Sequence, residues 1–300
     1  IDPDLKNDFV VERARLIAAA YRPQVQLYIN KPEGVGEEGT PPAPSLLGRL
    51  FRRQRNLLTR RHHESRLKTI KNEFEALGLD VSTEFSIERQ SAESILRRID
   101  EFQPDLVLKS VQHQSALARI LITNTDWLLI KSSPVPMLLV KSRHWSSDGS
   151  IMAAVDPLHV KAQQSQLDHL LIETATSLAE RLKLKTRIFH CYFPDVSSMF
   201  PKVLDAQAYI QEKKKLHAEK IEVLLQDHGI GMDAVILTRG DLMRTLKLSI
   251  RRERTNILVL GALKRNFMER TIVGSTAEKM LYDTSCDVLT VRKPRIETDD

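Results

Sequence analysis

Asn256-Ile257-Leu258-Val259-Leu260, followed by Gly261-Ala262-Leu263-Lys264, is the stretch from which the architecture of the whole chain unfolds. A short uncharged run closed by glycine reads as a strand buried on both faces. Its counterpart, Leu106-Val107-Leu108, lies 151 residues upstream of Ile257-Leu258-Val259. The same offset places Gly78 on Gly229, Ile95 on Leu246, and Leu138-Leu139-Val140-Lys141 on Leu289-Thr290-Val291-Arg292. Ile1-Asp2-Pro3 likewise recurs as Val155-Asp156-Pro157. A constant, ungapped register over this distance marks an internal duplication.

Within the second copy the pattern alternates. The apolar run Ile151 to Val155 precedes Leu167, Leu170, Leu171, Thr174, Ala175, Leu178 and Leu182, spaced as one face of a helix. A β-branched and aromatic run from Thr186 to Phe193 follows, then a polar helix around Ala206 to Gln226 that stops at Gly229. A strand at Asp233 to Thr238, a helix from Asp241, the strand Asn256 to Leu260, a helix from Thr276 and a strand Asp287 to Arg292 complete the copy. Strands alternating with helices predict an α/β protein: two tandem doubly wound domains, each with a mainly parallel five-stranded sheet. The domains are expected at 1–142 and 150–294, joined by a short polar linker containing Ser-Ser-Asp-Gly. Ile1 reads as the last residue of a strand that starts outside this numbering, so the first domain is expected with a truncated first strand. Lys31 to Pro44 reads as an exposed loop.

Composition narrows the function classes. With 300 residues, 42% apolar and 28% charged, the chain is typical of a soluble globular protein. No uncharged apolar run is long enough to span a bilayer, and no secretory leader is visible. Two distant cysteines, Cys191 and Cys286, provide neither a disulfide framework nor a zinc site, so a cytoplasmic location is expected. Cys191 falls in a strand and Cys286 just before one, as core residues rather than nucleophiles. His190 and His113 stay open as pocket residues. Adjacent His62-His63 point about 100° apart on a helix, unlike a metal pair, and read with Glu64 as a solvated face. Asp2-Pro3-Asp4 with Asn7-Asp8 lacks the glycine and glutamate of a calcium loop. No catalytic constellation and no metal site is expected.

An open parallel sheet holds an anion by feeding glycine-rich backbone into a helix N-terminus, beyond the carboxyl ends of its strands. The second copy offers Gly261-Ala262-Leu263-Lys264, nine residues, then Gly274-Ser275-Thr276 opening a helical pattern. This spacing resembles that of the universal stress protein family. Its ATP-binding members carry Gly, two residues, Gly, nine residues, Gly and Ser or Thr here, within an adenine-nucleotide alpha-hydrolase-like fold. The resemblance extends along essentially the whole chain. Thr125-Asp126-Trp127, with an apolar run and Pro134, is similar to the first domain of two-domain members of the UspE type. It implies a non-enzymatic cytoplasmic stress-response protein, with ATP or ADP, and Mg, bound by the second domain only. Asp156 and Cys191 would take the family's acid and apolar positions beside the nucleoside; Gly261, Lys264, Gly274, Ser275 and Thr276 would form the phosphate loop. Lys264 stands where the family has its second glycine, and either adds charge or blocks close approach. In the first copy Ser110, His113, Thr123 and Asn124 fall on Gly261, Lys264, Gly274 and Ser275, and no glycine survives. The resemblance also implies an intramolecular pseudo-dimer, paired through 137–141 and 288–292. Homodimerisation of the whole chain is left open.

Two other readings remain. Slow ATP hydrolysis would rest on Asp156 alone, without an arranged base or metal-binding acid. The segment 45–61 interleaves leucines with Arg49, Arg52, Arg53, Arg55, Arg60 and Arg61. It reads as a cover helix, with a lipid or acidic-partner surface as the alternative. Nucleic acid is not expected there, since stacking aromatics are missing from the segment.

Overall fold

The computed structural model describes residues 9–31, 46–87, 91–114, 119–121, 124–158, 162–193, 206–261 and 280–292. The first copy runs α1 (Phe9–Tyr21), β1 (Val25–Lys31), α2 (Leu46–Glu75), β2 (Val81–Ile87), α3 (Ser91–Phe102), β3 (Val107–Ser110), β4 (Gln112–Gln114), β5 (Arg119–Leu121), α4 (Asn124–Ser132) and β6 (Met137–Val140). The second runs β7 (Ser150–Ala154), α5 (Ala162–Leu182), β8 (Lys185–Tyr192), α6 (Ala206–Leu225), β9 (Val235–Arg239), α7 (Leu242–Arg252), β10 (Thr255–Gly261) and β11 (Asp287–Val291). Gly78 and Gly229, matched by the repeat, both take left-handed backbone, at φ 76° and 63°, where their helical segments end.

One seven-stranded sheet, ordered β3-β6-β11-β10-β7-β8-β9, runs through both copies. Every neighbouring pair in it is parallel except β6 and β11. There Val288, Leu289 and Thr290 lie opposite Leu139, Leu138 and Met137, so the two final strands pair as expected from the resemblance. Alternation along the strands divides the core. Leu138, Ile151, Ala153, Ile257, Val259 and Leu289 face α1, α5 and α6, while Leu139, Met152, Leu258 and Val288 face α4 and α7. Burial on both faces explains the continuous apolar runs read in the sequence.

The pairing is reciprocal. Lys141 Nζ donates to Leu281 O at 3.0 Å, and Arg292 Nη2 donates to Ile130 O. Lys141 matches Arg292 and Ile130 matches Leu281 at the repeat offset, so each copy's last strand reaches the same carbonyl of the other. Self-complementarity of this kind is the signature of a two-fold interface, here folded into one chain. Burial pushes the Lys141 ammonium down to about 8. All three of its protons are nonetheless placed, on Leu281 O, Thr284 O and Thr284 Oγ1.

The first copy differs from a single five-stranded sheet. β1 and β2 pair with each other in a separate two-stranded sheet, and β3 joins β6 in the large one. In the second copy β7 bridges β8 and β10; no described strand takes that place between β1 and β3. α1 compensates as a wedge: Val10 and Ile17 enter the large core, and Val11 and Ala18 enter the core of β1, β2 and α2. The i, i+7 spacing of each pair gives one helix two buried stripes.

Two smaller expectations change. His63 is 4% exposed and stacks on Phe85 with ring centroids 5.6 Å apart, so only His62 and Glu64 of that triplet face solvent. His63, Leu67, Ile70 and Phe74 form one inward stripe, and the histidine heads it. The 142–150 linker is a pinned strap: Asn256 accepts from Ser146 N and donates to Ser146 O, both at 2.8 Å. A Cβ on Gly149 would lie 2.7 Å from Arg254 O, so glycine is required for the strap's close approach.

Candidate functional site

The carboxyl ends of β7, β8, β9 and β10 end side by side, and three expected site residues are placed there. Asp156 follows β7, Cys191 lies near the end of β8, and Gly261 ends β10. Asp156 is exposed and its carboxylate accepts from Leu158 N at 3.4 Å. Cys191 is half-buried on the α7 face, where its thiol donates to Gly240 O at 3.3 Å. Leu167 rests against Gly261 so closely that a Cβ there would meet Leu167 Cδ2 at 2.5 Å. Lys264, Gly274, Ser275 and Thr276 lie outside the described residues, as does the start of the helix they were expected to open. The fit to a nucleotide is therefore partial: the acid is exposed, while approach over Gly261 requires Leu167 to swing aside.

A histidine pair underlies this edge. His190 Nδ1 lies 2.9 Å from Val155 O, which can only accept, so Nδ1 carries the proton. His190 Nε2 is then the acceptor for His217 Nδ1–H at 2.7 Å. The chain of donors leaves the lone pair of His217 on Nε2 and fixes both tautomers. His217 also stacks on Tyr192 at 4.9 Å between centroids. Burial first, then the neighbouring His190, holds His217 below the usual histidine range, and Asp156 opposes them. His190, left open by the sequence, is thus an anchor for α6; the role of His217 was not foreseen.

Four further residues frame the edge. Gln207, Gln211 and Lys214 of α6 and Arg239 at the end of β9 line, with Tyr192 and Ile210, a cleft of about 460 Å3. Their signal was present in the sequence as the i, i+4, i+7 spacing of Gln207, Gln211 and Lys214, ahead of Ile221 and Leu224 on the same helix.

The corresponding edge of the first copy is built differently. Ser110 ends β3, His113 pairs with Ile120 in the β4–β5 hairpin, and Asn124 begins α4; Thr123 lies outside the described residues. Asp126, 1% exposed, sits in the first turn of α4 and pairs with Lys109 at 2.5 Å. A carboxylate already occupies that favourable position and repels a phosphate. Cys286 is 2% exposed and burial pushes its thiol up to about 11, leaving a core residue rather than a nucleophile. The side chains of Arg49, Arg52, Arg53 and Arg55 lie outside the described residues, on a helix that runs from Leu46 to Glu75.

Tandem α/β copies joined by their last strands define a class of paired α/β domains. The chain belongs to the universal stress protein family, whose model matches residues 27–141 and 149–292. It is 23% identical over 205 residues to the universal stress protein E homolog of Haemophilus influenzae, covering 67% of this chain and 66% of that protein. It is 23% identical over 210 residues to universal stress protein E of Escherichia coli K12, covering 69% and 66%. The chain thus spans about two thirds of the length of these relatives. Among solved structures, a functionally unknown protein from Pseudomonas aeruginosa PAO1 superposes with a TM-score of 0.75 at 18% identity, covering 98% of this chain and 91% of that one. A universal stress protein from Archaeoglobus fulgidus gives 0.64 at 13%, covering 97% and 96%. Among the described residues no helix is long and apolar enough to cross a membrane.

Proposed function

We propose that this chain is a non-enzymatic, cytoplasmic stress-response protein in which only the second copy binds ATP or ADP with Mg. The observation that carries the proposal is the asymmetry between the copies at equivalent strand ends. In the second, the carboxylate of Asp156 is exposed just beyond the end of β7. In the first, Asp126 is buried against Lys109 where a phosphate would have to sit. Asp156 would contact the nucleoside, and Gly261, Lys264, Gly274, Ser275 and Thr276 would hold the phosphates. Cys191 would bear on the nucleoside only through the backbone of β8, because its thiol turns toward Gly240.

Calorimetric titration with ATP and Mg tests the reading, alongside Gly274→Val. Binding of one nucleotide per chain, lost in the variant, supports it; no heat, with no nucleotide released on denaturation, overturns it. Hydrolysis is read from the same mixture, and phosphate release abolished by Asp156→Asn would replace the non-enzymatic reading with a weak ATPase. A lipid or acidic partner at 45–61 is a separate reading, favoured by the exposure of Arg60 and Arg61 at the described end of that segment. Salt-sensitive binding to anionic vesicles that disappears in Arg52→Glu/Arg53→Glu supports it, and unchanged binding refutes it.

A further inference from the structure

α6 changes character along its length. Its C-terminal half buries Ile221, Leu224 and Leu225, as a helix covering a sheet must. Its N-terminal half turns Gln207, Ile210, Gln211 and Lys214 toward a cleft completed by Tyr192 and Arg239, from the ends of β8 and β9. The cleft measures about 460 Å3, within the range of small-molecule sites. Among its described lining residues two are cations and none is an acid. Lys215, the next residue on the helix, reaches Glu219 at 3.8 Å. Among the described residues, the side chains of Lys214 and Arg239 have neither an ion pair nor a hydrogen bond.

Two unmet cations lining one cleft repel each other and leave strong donors facing water; an anion between them removes both costs. Arginine supplies a planar fork for two oxygens, lysine a point charge, and the glutamines neutral donors. We infer that this cleft binds a small molecule carrying at least two negative charges on phosphate or carboxylate groups. It is separate from the glycine-spaced loop, since β7 stands between β8 and β10, the strand that feeds that loop.

Equilibrium dialysis of the full chain with labelled pyrophosphate, and separately with citrate, tests the inference at constant ionic strength. One saturable site per chain is expected. Affinity should fall about tenfold or more in both Arg239→Ala and Lys214→Ala, the loss expected when a charged hydrogen bond is removed. It should be unchanged in Lys215→Ala. Tighter pyrophosphate assigns phosphate chemistry, and tighter citrate assigns carboxylate chemistry. No saturable site, an equal loss in Lys215→Ala, or full affinity in Arg239→Ala and Lys214→Ala overturns it. Loss in Gly274→Val with retention in Arg239→Ala also overturns it, while placing the anion in the nucleotide loop. A circular-dichroism melt of each variant separates loss of the site from loss of the fold.

Discussion

Replacing Arg13 by leucine is the most direct way to ask what fastens the two copies together. Arg13 is fully buried on α1, and its Nε donates to Asp287 Oδ2 at 2.8 Å at the start of β11. The same guanidinium donates to Glu12 Oε1 at 2.6 Å and to Arg143 O, and lies 4.6 Å from the centre of the Trp145 ring. Asp287 also accepts from Lys141 N and Trp145 Nε1, each at 2.8 Å. Without Arg13 the carboxylate keeps two neutral donors and loses its buried counter-charge. Breaking a buried pair on one side costs about 3–5 kcal/mol. Burial already holds the Asp287 carboxyl above the usual range, and Arg13 is the largest influence holding it down. In Arg13→Leu that folded pKa rises further, so the folded protein binds a proton that the unfolded chain releases. Stability must therefore fall as pH rises through the window between the two values, with a limiting slope of about 1.4 kcal/mol per pH unit. Urea midpoints from about pH 5 to about pH 8 measure this, in wild type, Arg13→Leu, Asp287→Leu and the double variant. The double variant should be less destabilised than the sum of the singles. A cost below about 1 kcal/mol for Arg13→Leu, strict additivity, or a cost independent of pH would refute the reasoning.

Acidification should weaken the protein through two histidine pairs, His190–His217 and a second in which His169 Nδ1 lies 2.8 Å from His228 Nε2. Burial, as the first cause, holds both His217 and His228 below the ordinary value, so stability is full above about pH 6.5 and is lost as pH falls toward the lowered folded values. Melting temperatures should decline over that window, and less steeply in His217→Phe/His228→Phe; an unchanged profile in the double variant counts against the pairs. Asn256→Ala removes both bonds to Ser146 and should cost about 1–3 kcal/mol, with faster tryptic cleavage after Arg143. Equal cleavage in variant and wild type would mean that the strap is held by something else. Native alkylation at mildly alkaline pH should modify half-buried Cys191 well before Cys286, whose thiol burial pushes up to about 11. Mass spectrometry showing the reverse order would contradict that environment.

Much of the fold was legible because its signals are periodic. Ile257-Leu258-Val259 and Leu138-Leu139-Val140 are uninterrupted apolar runs since both faces of their strands are covered. At the repeat offset the later strands coincide, with β3 falling on the end of β10 and β6 on β11. What could not be transferred was the pairing of β1. Its sequence Val25 to Lys31 carries no mark of whether a neighbouring strand stands beside it, because backbone groups, not side chains, make the ladder. The two buried stripes of α1 were open to reading, but their meaning depends on a gap that sequence does not display. His63 was misread for a related reason: a histidine at the head of an apolar stripe looks polar by type, while its aromatic stacking on Phe85 satisfies an interior position.

The site was legible where residue type carries the chemistry and illegible where position does. Asp156 could be read from the end of β7, and the spaced glycines from their intervals. Gln207, Gln211 and Lys214 look like the exposed face of a polar helix, because nothing in sequence says which stripe of α6 turns inward. His217 supplies that phase once its bond to His190 is seen, since it lies three residues beyond Lys214 and four before the buried Ile221. Along that stripe burial fades toward the N-terminus, since Ile221 is buried and His217 half-buried whereas Lys214 and Gln211 are exposed. Exposed polar residues at these positions keep their hydration and line a cleft rather than a core. The cleft beyond His217 is lined by exposed polar side chains, and two cations without an ion pair among the described residues give it a sign.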